Sequence, residues 1–162
     1  MEFETVKKHL EKGLDGNGNG ILSRLFDDFI MQGLGLRVEL IEQGRLLCSM
    51  KIPVRFLNPM NVLHGGATAS LVDLIGSAVI HTYGLPTGVS VEITVSYLDT
   101  AFADFGNVVV SDAMQEEIEI EGRALRIGKT VAVVNVEFRK KKTAGIFAQA
   151  RHTKYLPPQT RM

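Results

Sequence analysis

The chain has 162 residues, enough for one domain that buries roughly 70% of its unfolded surface without help from disulfides or metal. Eighteen Lys and Arg against eighteen Asp and Glu leave no net charge, which argues against broad binding to nucleic acid or an anionic membrane and points to a small-molecule partner. The single cysteine, Cys48, supports neither a disulfide framework nor a thiolate metal site and fits a reducing, cytoplasmic compartment.

MEFETVKKHLEKGL predicts a short amphipathic helix near residues 3 to 13, with acids present and no targeting bias. DGNGNGILS, from Asp15, imitates an EF-hand calcium loop, with Asn17, Asn19, Gly20 and Ser23 suitably placed. Phe26, however, stands at the twelfth position where a bidentate Glu belongs, so the segment reads as a turn into a second helix near 21 to 31. Residues 1–32 thus form an N-terminal helical extension of a single domain, 1–162. Two strands follow, GLRVELIEQG and RLLCSMKIPVRF, with Gly44 at the turn. After the loop LNPMNVLHGG, residues 66 to 82 lack Pro and mix small with branched apolar side chains around most of the circumference, predicting a helix buried on nearly every side.

Four further strands are expected in GVSVEITVSYL, GNVVVSDAMQEEIEIE, TVAVVNVEFRKK and GIFAQARHTKYL. GRALRIGKT has five residues between Gly122 and Gly128 where a phosphate-binding P-loop has four, and a strand follows it rather than a helix; it reads as a turn. Two strands, one long helix and four strands in succession describe an α+β protein whose antiparallel sheet of about six strands wraps the helix. No run of about 18 apolar residues suggests a membrane span. The last residues, Thr160, Arg161 and Met162, match a peroxisomal S-K-L signal poorly, and that compartment is a minor alternative.

The predicted helix carries one carboxylate, Asp73, among apolar neighbours. An unpaired carboxylate in a dry core costs several kcal/mol unless it is protonated, paired or hydrogen-bonded, so chemistry is sought there first. An Asp that only bonds neighbouring hydroxyls is the structural alternative. His64, Gly65 and Gly66 stand at the helix entrance, where unpaired N–H groups and the positive end of the helix dipole can polarise a carbonyl and stabilise its oxyanion. From His64 to Asp73 is nine residues, about 13.5 Å of helix, too far for both ends to serve one carbonyl within a chain. Either they do not cooperate, or two chains related by a two-fold axis bring the entrance of one helix to Asp73 of the other, which predicts an obligate homodimer with two interface sites.

N-P-M-N-V-L-H-G-G, Asp73 nine residues after His64, GVSVEITVSY, GKT and ARHTKYL together resemble the hotdog-fold acyl-CoA thioesterases over roughly residues 30 to 156. The resemblance implies a sheet wrapped around a long helix, homodimers that often assemble as homotetramers, and hydrolysis of an acyl-CoA thioester in lipid metabolism, with no metal and no cofactor. It implies that the Gly65 N–H polarises the thioester carbonyl, with Asn58 and His64 shaping the same side, and that Asp73 of the other chain activates water or attacks directly while Ser90 helps hold that water. Those two roles of Asp73 are not separable from sequence. Equally, Asn58 can order its loop, Ser90 can be a strand hydroxyl and His64 a helix cap.

For coenzyme A phosphates the candidates are Arg126, Lys129 and Thr130 beside Gly128, the run RKKK at 139 to 142, and Arg151, His152 and Lys154. The resemblance favours the Gly128–Thr130 turn, with Glu92, Tyr97 and Tyr155 along the pantetheine path. Two departures from the family pattern stand out: extra residues around QEEIEIEGRAL, read as a lengthened acidic hairpin, and Phe102 where relatives often carry a basic residue. A G-x-S-x-G elbow is absent, which removes the α/β-hydrolase route. The alternatives are a hydratase or dehydratase on the same fold and a non-catalytic acyl-CoA binder or scaffold.

Overall fold

A computed structural model describes residues 2–11, 30–86, 88–102 and 116–158. Helix α1 (Glu2–Leu10) has Glu2 and Glu4 in its first turn and Lys7, Lys8 and His9 in its last, charges that complement the helix dipole, and it buries Val6 and Leu10. The expected second helix and the Asn-rich segment from Asp15 lie outside the described residues, apart from Ile30 and Met31, which are buried.

Strands β1 (Arg37–Glu42) and β2 (Arg45–Lys51) form the expected hairpin. At the turn Gly44 adopts φ 79°, open to glycine at little cost, and its N–H donates to Thr82 Oγ1 at 2.8 Å. That bond ties the hairpin to the far end of the central helix, α2 (Gly65–His81). Four strands follow: β3 (Val89–Tyr97), β4 (Glu117–Ile127), β5 (Val131–Lys140) and β6 (Ile146–Tyr155). They join the hairpin in one antiparallel six-stranded sheet of order β1-β2-β4-β5-β6-β3. Alternation decides the inner face. Ile118 and Ile120 of β4 and Ala132, Val134 and Val136 of β5 are fully buried together with Leu71, Ile75 and Val79 of α2.

One expectation needs correction. The segment 122–127 is strand, not turn, because a Cβ at Gly122 would lie 2.7 Å from Val79 Cγ2 and 2.9 Å from Ile75 Cγ2; the glycine serves close approach of helix and sheet. The turn is confined to residues 128–130. The acidic run Glu117–Glu121 lies in the first arm of the β4–β5 hairpin and pairs with β2 on its other side, its glutamates alternating with the buried isoleucines. The part of the expected strand before it falls in 103–115, outside the described residues.

On the outer face Glu121 accepts from Arg45 Nε at 2.8 Å and Arg139 at 2.9 Å, with Arg123 at 2.7 Å. Burial works to raise its carboxyl pKa, but the hydrogen bonds from Arg45 and Arg139 and the Arg123 charge outweigh it and hold the group below the ordinary range. Burial pushes the Cys48 thiol well above its ordinary value, so it is inert packing. Among the described residues no helix is long and apolar enough to cross a membrane.

Candidate active site

The loop entering α2 is fixed by Asn58, whose Oδ1 accepts from the Met60 N–H at 2.9 Å and the Val62 N–H at 3.2 Å, while Asn61 takes a left-handed φ of 58°. Leu57 pairs with Leu63, and the His64 N–H donates to the Phe56 carbonyl at 2.8 Å, so the chain reaches the helix in one defined direction. His64 is the N-cap: its Nδ1 accepts from the Gly66 N–H at 2.9 Å. The Gly65 N–H donates to no described residue, and its carbonyl accepts from the Tyr97 hydroxyl at 2.9 Å. The entrance therefore presents the Gly65 N–H unpaired at the positive end of a 17-residue helix. A cavity of about 450 Å³ opens beside it, lined by Arg55, Phe56, His64, Gly66 and Ser70 among others.

Asp73 projects from α2 toward β3 and β6. Its side chain is 44% exposed, which corrects the expectation of a carboxylate buried within the chain. It is nonetheless well partnered. Ser90 Oγ of β3 donates to Asp73 Oδ1 at 2.8 Å, His152 Nε2 of β6 lies 3.2 Å from the same oxygen, and Lys154 Nζ lies 3.9 Å away. Lys154 also donates to Ser77 Oγ, one turn further along α2, at 2.6 Å. A second cavity of about 320 Å³ adjoins this cluster, between α2 and α1, lined by Asp73, Ser77, His81, Lys154, Val6 and His9. Gly65 and Asp73 are eight residues apart on one straight helix, about 12 Å along its axis, so one chain does not bring them together.

The described chain thus combines an unpaired N–H at a helix entrance, a carboxylate just over two turns along that helix and a sheet packed on it. The family profile described as Thioesterase superfamily matches residues 60–146, more than half of the chain. The chain belongs to the thioesterase superfamily. Human acyl-coenzyme A thioesterase 13 is 36% identical over 114 residues, 70% of this chain and 74% of its own length. The solved thioesterase superfamily member 2 from zebra fish superposes with TM-score 0.76 at 30% identity, covering 97% of this chain and 99% of that one. A hypothetical thioesterase from Streptococcus pneumoniae, crystallised with coenzyme A, shares the fold at 21% identity and TM-score 0.66, covering 78% and 88%. The protein is a thioesterase, and its architecture is the hotdog fold.

The remaining site candidates of this thioesterase fall into separate groups. Arg126 is the penultimate residue of β4, Gly128, Lys129 and Thr130 form the β4–β5 turn, and Tyr155 ends β6 beside Val131; the Thr130 carbonyl accepts from the Leu156 N–H at 2.8 Å, so these positions share one end of the sheet. Glu92 is exposed on β3, and Phe102, also exposed, pairs with Val62. Of the basic candidates, His152 and Lys154 are buried and turn inward to Asp73, which removes them from the set open to a phosphate; Arg151 faces out. Within the run RKKK, Arg139 bonds Glu137 and Glu121, Lys140 bonds Asp99 at 2.8 Å and Lys141 bonds Glu117 at 2.8 Å. The Asp73 cluster thus contains two partners, His152 and Lys154, whose inward side sequence reading missed. The signal was present: in AQARHTKY, Ala148, Ala150, His152 and Lys154 share one parity, and the small alanines mark that parity as the inner face.

Proposed function

We propose that this thioesterase hydrolyses an acyl-CoA thioester to the free acid and coenzyme A, at a site completed by two copies of the chain. The carbonyl oxygen rests on the Gly65 N–H of one subunit, with Asn58 and His64 fixing that turn. Water, held by Ser90 and Asp73 of the other subunit, attacks the carbonyl carbon while Asp73 takes its proton; collapse of the tetrahedral oxyanion breaks the C–S bond and releases the coenzyme A thiolate, which recovers a proton. Direct attack by Asp73 through a mixed anhydride uses the same groups.

The observation that carries this reading is the pairing of an unfilled N–H at the entrance of α2 with a half-exposed, hydroxyl-bonded carboxylate about 12 Å along the same helix. Two further facts support a dimer. Among the described residues β3 is a sheet edge, and its Val89, Val91 and Tyr97 are more than half exposed at 65%, 65% and 57%. A long apolar edge of that kind asks for a partner strand. Homotetramers are a further step of the same assembly. Arg126, Gly128, Lys129, Thr130 and Tyr155, gathered at one end of the sheet, are assigned to the coenzyme A phosphates and nucleotide, and Glu92 and Tyr97 to the approach of the pantetheine arm. The name of the human relative and the coenzyme A bound by the streptococcal protein favour this substrate class.

The test is release of free thiol from a panel of fatty and aryl acyl-CoAs, run beside Asp73→Ala. Turnover by the wild-type protein that falls at least about 100-fold in the variant is expected. No turnover on any thioester, or full turnover by Asp73→Ala, contradicts the reading.

A further inference from the structure

His152 is the one charged or titratable side chain on the inner face of β6 that is fully buried, at 0% exposure, and it sits beneath the carboxylate rather than in the wall of either cavity. Its place depends on a glycine. A Cβ at Gly76 would lie 2.4 Å from His152 Nδ1, so only glycine at that turn of α2 lets the imidazole lie flat against the helix. In that position Nε2 is 2.9 Å from Ser90 Oγ and 3.2 Å from Asp73 Oδ1, and Ser90 Oγ is itself 2.8 Å from Asp73 Oδ1. Three polar atoms from three separate elements close a triangle.

With Asp73 ionised, the triangle favours one arrangement of protons. A carboxylate has no hydrogen to give, so the short Ser90 contact uses the serine hydroxyl as donor to Asp73. The Ser90 oxygen and the Asp73 oxygen then both offer lone pairs to Nε2, and an unprotonated Nε2 would add a third lone pair to the group. Nε2 must carry the hydrogen.

The geometry points to His152 as a positioning residue that, as a neutral Nε2–H imidazole seated on Gly76, orients the Ser90 hydroxyl and the Asp73 carboxylate for attack on the thioester. The inference rests on Asp73 being the group that activates water or attacks. His152 does not touch the substrate: the hydrogen bonds pass through Ser90 and Asp73.

The charge state agrees. The groups facing the imidazole are Asp73 and the Val72 backbone from α2, Ser90 from β3, Val134 opposite it on β5, and Lys154 beside it on β6. Burial above all, then the Lys154 ammonium, lowers the His152 pKa to about 4, against the opposing pull of Asp73 and Val72. Burial thus favours the neutral ring at neutral pH.

The experiment combines spectroscopy and kinetics on the full chain. The nitrogen-15 shifts of His152 in wild-type protein should report Nε2–H from pH 6 to 8; an Nδ1–H tautomer or an imidazolium overturns the assignment, and this measurement needs no variant to fold. His152→Leu should lower kcat roughly 10- to 100-fold with KM within about twofold of wild type. His152→Gln, whose amide NH₂ can stand where Nε2–H stood, should restore at least a third of that loss on a logarithmic scale. Undiminished kcat in His152→Leu, or equal loss in the Leu and Gln variants, overturns the inference. Asp73→Ala in the same assay separates the two readings: if it is inactive while His152→Leu is fully active, only the positioning role fails, and if it is active, the role of Asp73 fails first.

Discussion

Replacing Gly65 by proline tests the oxyanion contact through one atom. Proline deletes the N–H, and the backbone accepts it: Gly65 is the first residue of α2, where proline is favoured, and His64 before it has φ −64° and ψ 133°, the extended conformation that a following proline requires. The lost N–H leaves no internal hydrogen bond broken, because it donates to no described residue. The new ring lies toward the Tyr97 hydroxyl, 3.1 Å from the Cβ position, an exposed side chain that must yield by a few tenths of an ångström while keeping its bond to the Gly65 carbonyl. Stability should therefore hold to within about 1 kcal/mol, or roughly 2–4 °C in Tm for a chain of this size. Catalysis should not. Removal of an oxyanion donor costs about 10²- to 10³-fold in kcat. Gly65→Ala carries the same Cβ but keeps the N–H, so it should stay within about threefold of wild type. Steady-state thiol release by both variants decides the matter: proline and alanine variants of equal activity would refute the role of the Gly65 N–H.

Ser90→Ala removes a hydrogen bond to a charged acceptor at 2.8 Å, a contact worth about 1.5–3 kcal/mol, and should lower kcat/KM roughly 10- to 150-fold; a change under twofold contradicts a role in holding water. Glu121→Ala leaves Arg45, Arg123 and Arg139 facing one another with no counter-charge, and should destabilise by about 1–3 kcal/mol in chemical denaturation while Glu121→Gln loses less. Gly122→Ala, with its Cβ inside 3.0 Å of both Val79 and Ile75, should cost about 1–3 kcal/mol through overpacking; an unchanged denaturation midpoint would refute the close helix–sheet contact. For pH, the His152 pKa is about 4 folded against the ordinary 6.5, so the unfolded chain binds the extra proton between those values. The His152 share of stability is fully present above pH 6.5, is lost as pH falls toward 4, and does not change further below; His152→Leu should flatten the stability curve in that window.

Much of the fold was legible because it is written in local pattern. Period-two alternation marked β1, β2, β3, β5 and β6 to within a few residues, and the Pro-free, small-residue run marked α2 to within one. Gly122 misled, since a glycine that admits Val79 and Ile75 looks in sequence like a glycine that turns the chain. At the site, the helix entrance came from the residues themselves and Ser90 from the family resemblance. The exposure of Asp73 was not legible, because which flank of α2 the sheet covers depends on strand order, with β3 at the edge beyond β6. His152 and Lys154 stand 62 and 77 residues from their partners Ser90 and Ser77, contacts made only once β3 and β6 pair. Parity along β6 gave their side of the sheet; the partner needed the fold.

The most direct test of a site shared between subunits is complementation. Asp73→Ala and Gly65→Pro proteins, each inactive alone, are unfolded together, refolded as an equal mixture and assayed for thiol release from the best acyl-CoA substrate. In a mixed dimer one site combines both substitutions and the other carries neither; with about half the dimers mixed and one site in two intact, about a quarter of wild-type activity should return. A mixture as inactive as its components would contradict the shared site.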